Sequence, residues 1–88
     1  MNLRETKALQ CGDKFRRPSK NSHDNGWRVY VVVGRTVDAS GIYGTPGAVL
    51  GFETKDQHGY VGHVSITAWD SMGGESKNFM KVAERIAE

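Results

Sequence analysis

Trp27-Arg28-Val29-Tyr30-Val31-Val32-Val33 is the stretch that decides the fold. Trp27, Val29, Val31 and Val33 fall on one face at period two, and Arg28, Tyr30 and Val32 fall on the other. β-Branched and aromatic residues fill the run, and both faces carry apolar surface, as a central strand requires. Gly34 follows and allows a bend or bulge, beyond which Arg35-Thr36-Val37 continues the strand.

Further strands flank this one. Lys14-Phe15-Arg16-Arg17 precedes it and is stopped by Pro18. Phe15 points to the core, so Lys14 and Arg16 point away from it. Residues 18–26 are polar or turn-forming and close on the dipeptide Asn25-Gly26, which marks a loop. After a Gly-rich connection over 38–47, Ala48 to Thr54 predicts a strand with Ala48, Leu50 and Phe52 on one face. Lys55 to Gly59 is a hairpin turn. Tyr60 to Thr67 predicts the next strand, with Tyr60, Val64 and Ile66 on one face and Val61, His63 and Ser65 on the other. Trp69 to Gly74 breaks it.

From Glu75 the period changes. Phe79, Val82 or Ala83, and Ile86 recur at helical spacing and predict a helix over 75–87. Residues 1–13 are a lead-in where Leu3, Ala8 and Leu9 form a single turn. Strands first and a helix last describe a mainly β, α+β chain of about four or five strands. A curled antiparallel sheet or small barrel over 14–69, with one C-terminal helix, is expected.

The 88 residues allow a single domain over 1–88 and a small core. Twelve Lys and Arg against ten Asp and Glu leave a net charge of +2. The charge is uneven. Residues 1–35 hold eight basic and three acidic side chains, and residues 36–88 hold four basic and seven acidic ones. No apolar run approaches the roughly 20 residues that span a bilayer, so no membrane partner is expected. The segment Met1 to Leu9 carries Arg4, Glu5 and Lys7 and is not read as a secretory signal. Cys11 is the single cysteine and cannot form an internal disulfide. A reducing, cytoplasmic setting is the expectation, and the small size suits a phage or mobile-element gene.

Leu9-Gln10-Cys11-Gly12-Asp13, followed by Lys14 to Arg17 and by the Val-rich strand, resembles the opening of small SH3-like β-barrels. There a Leu-x-x-Gly-Asp segment turns the chain into its first strand, and the resemblance implies that fold over residues 9–67. Within the class, Gly12-Asp13-Lys14-Phe15-Arg16-Arg17 is similar to the opening of the plasmid-borne type II dihydrofolate reductases. Val64-Ser65-Ile66-Thr67 is loosely similar to the strand that lines their pore. Ser65 and Thr67 stand where that family carries the Gln and Tyr that touch folate and cofactor. The resemblance therefore implies the fold and not the activity.

Lys14, Arg16, Arg17, Lys20 and Arg28 form a basic cluster. With Tyr30 beside them, they would hold a phosphate backbone while the ring stacks on a base. A solvated face, or the binding of an acidic protein, explains the same cations. Trp27 and Trp69 are core anchors, or else Trp69 joins Tyr43 and Met72 at a partner contact. His23, His58 and His63 lack metal-ligand spacing and are read as surface residues, so no metal and no cofactor is expected. Cys11 has no base near it in sequence and is read as a partly buried structural cysteine. Asp38, Glu53, Asp56 and Asp70 are the carboxylates that an acid–base pair would draw on, but Glu53 and Asp56 flank a hairpin and are read as solvated, Asp70 is read as a cap after Trp69, and no hydrolase is expected. Gly41 to Gly47 lacks the Gly-Lys-Ser/Thr ending of a phosphate loop and is read as a connection that presents Tyr43.

No catalytic motif is present, and a non-enzymatic binding module is expected. One version binds nucleic acid through the basic N-terminal face. Another is a protein-interaction module or inhibitor that uses its loops or a sheet edge. A third is an oligomeric enzyme whose site symmetry completes. Homo-oligomerisation fits all three, because the core is small and a partner subunit would bury more surface.

Overall fold

In the computed structural model, residues 1–42, 44–71 and 73–86 are described. The elements run α1 (Leu3–Lys7), β1 (Lys14–Pro18), a 3-10 turn (Ser22–Asp24), β2 (Trp27–Asp38), β3 (Ala48–Asp56), β4 (Val61–Ser65), α2 (Glu75–Lys81) and β5 (Glu84–Ile86). The strands make one antiparallel sheet in the order β4-β3-β2-β1-β5. β2 is central, as its two apolar faces require.

The expected sheet is therefore present, and the barrel alternative is not. β4 and β5 are the ends of the order and do not pair with each other. At five and three residues they are short, and a closed barrel needs continuous staggered pairing around its whole girth.

The core lies on the Tyr30–Val32 face of β2. Register places Phe15 opposite Tyr30 and Thr54 opposite Val32, and all four are buried. The Phe15 and Tyr30 rings stack at 5.1 Å with an interplanar angle of 13°. Phe52 and Val64 extend this layer across β3 and β4, and Leu9, Trp69, Met80 and Ala83 cover it. Trp27, Val29 and Val31 share the other face, where all three are half-buried. Burial of the aromatic pair, not the number of valines, decides which side is inside. The expected bend at Gly34 is a β-bulge between Val32 and Gly34, which turns Val33 out to solvent.

The helix expected over 75–87 ends at Lys81. Met80 and Ala83 are buried, Val82 is exposed, and the chain then extends as β5 against the edge of β1. Lys14 pairs with Ile86 and Arg16 with Glu84. The helical spacing of Ile86 is overridden because a strand there satisfies the backbone groups that β1 would otherwise leave unpaired. At the other end, α1 carries a capping box: Asn2 Oδ1 accepts from the Glu5 amide at 2.8 Å, and Glu5 Oε1 accepts from the Asn2 amide at 3.2 Å.

Candidate functional site

The basic cluster read from the sequence does not form one surface. Lys14 and Arg16 lie on the outer face of the sheet with Trp27, whereas Arg17 and Arg28 are register partners on the core side. Arg16 bonds Glu84 at 3.0 Å and lies 4.0 Å from the Trp27 ring centroid. The Arg17 guanidinium lies 3.9 Å from the Phe79 ring centroid, and its Nε donates to the Phe79 carbonyl at 2.8 Å. Arg28 Nε donates to Asp24 Oδ2 at 3.0 Å. Burial opposes the Arg28 charge, but the hydrogen bond and charge of Asp24 outweigh it and push the guanidinium pKa up. Lys20 is exposed in the loop.

Tyr30 corrects the sequence reading most directly. It is buried between Phe15 and Phe79, with its ring 5.6 Å from Phe79, and has no open face on which a base could stack. Trp69 is likewise buried in the core, so it serves packing and not a partner contact. Tyr43 and Met72 lie outside the described residues. Cys11 is exposed, not partly buried. Among the described residues no three His, Cys, Asp or Glu side chains come together as a metal site.

One buried polar centre was not legible in the sequence. The Asp24 side chain is fully enclosed and accepts from Ser19 Oγ, Arg28 Nε and Gln57 Nε2, and it meets His58 Nε2 at 2.5 Å. The Ser19 and His58 hydrogen bonds hold its carboxyl down to about 2, with a smaller contribution from Arg28 and against the opposing effect of burial. A nucleophile–base pair would join serine to imidazole. Here both join the carboxylate instead, so the group ties the 18–26 loop to the β3–β4 turn. The sequence signal was the spacing Asp24 to Arg28, but Gln57 and His58 are distant in the chain.

The two sheet edges differ. β5 is short and carries Glu84 and Arg85. β4, Val61-Gly62-His63-Val64-Ser65, carries no formal charge and no proline, the residues by which natural edges are usually protected. Tyr60 and Val61 at its start are 74% and 68% exposed. The Asp56 amide donates to the Tyr60 carbonyl and the Ile66 amide to the Leu50 carbonyl, which sets the parity of the β3–β4 ladder. By that parity Gly62 and Val64 bond to β3, and the backbone groups of Val61, His63 and Ser65 point outward. Among the described residues no strand pairs with them. The His63 ring lies over Gly51, where an added Cβ would stand 3.1 Å from the imidazole.

No helix among the described residues is long and apolar enough to cross a membrane. Compared with protein-family models, curated proteins and solved structures, the chain finds no significant match. Fold and site together define a small single-sheet β protein with one helix-covered face and one uncharged edge.

Proposed function

We propose that this chain is a protein-binding module that accepts an extended segment of a partner along the edge of β4. One observation carries the reading. The outward amides and carbonyls of Val61, His63 and Ser65 stand on a strand without charge or proline, flanked by exposed Tyr60 and Val61. Such an edge is a template for strand addition, in which main-chain bonds supply affinity and alternating side chains supply specificity. The nucleic-acid reading loses support by comparison. Of its five cations, Arg16, Arg17 and Arg28 already hold internal partners, and the cluster is divided between two faces.

The test is selection of a display library of random linear peptides on three forms of the protein: the natural chain, His63→Ala and His63→Pro. The His63 amide faces away from β3, so proline there removes an outward donor while leaving the β3–β4 bonds in place. All three forms should show the same far-UV circular dichroism. The natural chain and H63A should retain the selected peptides, and H63P should lose them. Equal retention by H63P, recovery of no peptides, or salt-sensitive binding of a DNA duplex in their place would overturn the reading.

A further inference from the structure

A cleft of about 370 Å³ opens between the loop that precedes β2 and the turn that joins β3 to β4. Asn21, His23, Arg28, His58 and Tyr60 line it. Its volume lies within the range of about 300–1,000 Å³ of small-molecule sites, but every side chain in its lining carries a polar group, where such sites are mostly apolar. A lining of this kind selects a polar ligand, and the atoms it leaves without partners decide the sign of that ligand.

Those atoms can all donate. Arg28 uses its Nε on Asp24 Oδ2, and its two terminal nitrogens hold no hydrogen bond among the described residues. Asn21 Oδ1 accepts from the His23 amide at 2.9 Å, which leaves Asn21 Nδ2 unbonded. The His23 ring and the Tyr60 hydroxyl have no hydrogen-bond partner among the described residues, and both residues are exposed. No carboxylate lines the cleft. Asp24 is bonded to Arg28 and His58 but is itself fully enclosed, and its two oxygens already hold four side chains. Asp56 Oδ1 accepts from the His58 and Tyr60 amides. The segments that wall the cleft, 19–28 and 55–60, hold Lys20, Arg28 and Lys55 against Asp24 and Asp56, so their charge does not oppose an anion.

We infer that this cleft binds the phosphate of a small phosphate monoester, with the terminal nitrogens of Arg28, Asn21 Nδ2 and His23 as donors and the Tyr60 ring as a wall for the organic group. A phosphate presents several acceptor oxygens, which matches a set of donors without a carboxylate, and the planar fork of arginine fits them. Tyr60 is 74% exposed, so its ring is open to a planar substituent. The cleft and the outward backbone groups of β4 are separate features, so this inference stands apart from the strand-addition reading.

The experiment titrates phenyl phosphate, inorganic phosphate and phenol separately into the full chain, with chloride as the balancing salt. NMR follows the backbone amides, the Asn21 side-chain amide and the histidine rings. Phenyl phosphate should give shifts centred on Asn21, His23, Arg28 and His58. Inorganic phosphate should shift the same signals but bind about fivefold more weakly, the effect of losing one aromatic contact. Phenol should leave them unmoved. His23→Ala, which removes an exposed ring bonded to nothing, should weaken both phosphates about threefold, the effect of one lost hydrogen bond. Tyr60→Ala should erase the difference between phenyl phosphate and phosphate. Arg28→Lys keeps the charge but loses the fork, and should weaken both about tenfold.

No shift with either phosphate, shifts confined to residues outside the cleft, or the same shifts from chloride alone would overturn the inference. So would equal affinity of the natural chain, H23A and Y60A for phenyl phosphate, a result that decides the matter even if R28K, deprived of its bond to Asp24, fails to fold. Each of these results leaves the selection of peptides by β4 as it stands.

Discussion

His58 Nε2 lies 2.5 Å from Asp24 Oδ1, across 34 residues of sequence. The contact fastens the loop between β1 and β2 to the turn between β3 and β4. Gln57 bonds the same oxygen of Asp24 at 3.0 Å, and its own Oε1 accepts from the Val29 amide at 2.9 Å. One end of the sheet is thereby closed by polar groups.

Asp24→Asn should destabilise the chain at neutral pH, because Ser19, Arg28 and His58 lose an anionic acceptor. The Asp24 carboxyl titrates lower in the fold than in the unfolded chain. Its contribution is therefore complete above about 3.8 and is lost as pH falls through about 2. Urea denaturation at a series of pH values should show a gap between the natural chain and D24N that is constant at neutral pH. The gap should narrow below about 4 and vanish near the folded value. A gap independent of pH would show that the charge of Asp24 contributes nothing.

Arg17→Ala should cost about 1–2 kcal/mol by loss of the Phe79 ring contact and of the bond to its carbonyl. Arg17→Lys keeps the charge but loses the planar fork, and should fall between the two. The midpoints of chemical denaturation give the order directly. No loss in R17A would mean that Arg17 is free for an external ligand.

Glu84→Ala should change stability by less than about 0.5 kcal/mol, although Glu84 pairs with Arg16 at 3.0 Å. The two side chains are 41% and 57% exposed, so water competes for both charges. A larger loss would show that the ion pair, rather than backbone pairing, holds β5 to β1.

Gly51→Ala and Gly34→Ala form a matched pair. A Cβ at Gly51 would stand 2.6 Å from the Val64 carbonyl oxygen, so β4 must move, at a cost of about 1–3 kcal/mol. At Gly34 the nearest atom is 3.8 Å away, and alanine there should be neutral or stabilise by up to about 1 kcal/mol. Hydrogen exchange should show the G51A loss concentrated in the Gly62 and Val64 amides. Uniform loss over the sheet would mean that β4 does not yield separately.

Phe15→Ala removes a fully buried ring that meets Tyr30, Phe52 and Phe79. The expected loss is about 3–5 kcal/mol, a large share of what a chain this short can hold. Thermal unfolding followed by near-UV circular dichroism measures it. A small loss would require the core to lie elsewhere than on the Phe15–Tyr30 face.

The strands around Trp27 to Val33, Ala48 to Thr54 and Lys14 to Arg17, the polar loop at 18–26 and the bulge beside Gly34 were all determined by local sequence. Period-two alternation, β-branched residues and turn chemistry act between residues close in the chain, so they can be read from it. Strand order is a different kind of fact. It decided that Tyr30 is buried under Phe79, that Arg28 lies beside Arg17 and on the face opposite Lys14 and Arg16, and that β4 ends the strand order among the described residues. It also turned residues 84–86 from the end of a helix into a strand, because the edge of β1 offered backbone partners. These outcomes depend on contacts between residues far apart in sequence, whose energies no local pattern contains. Asp24 illustrates the division: its turn and its spacing to Arg28 are local, but Gln57 and His58 reach it only once the sheet has formed.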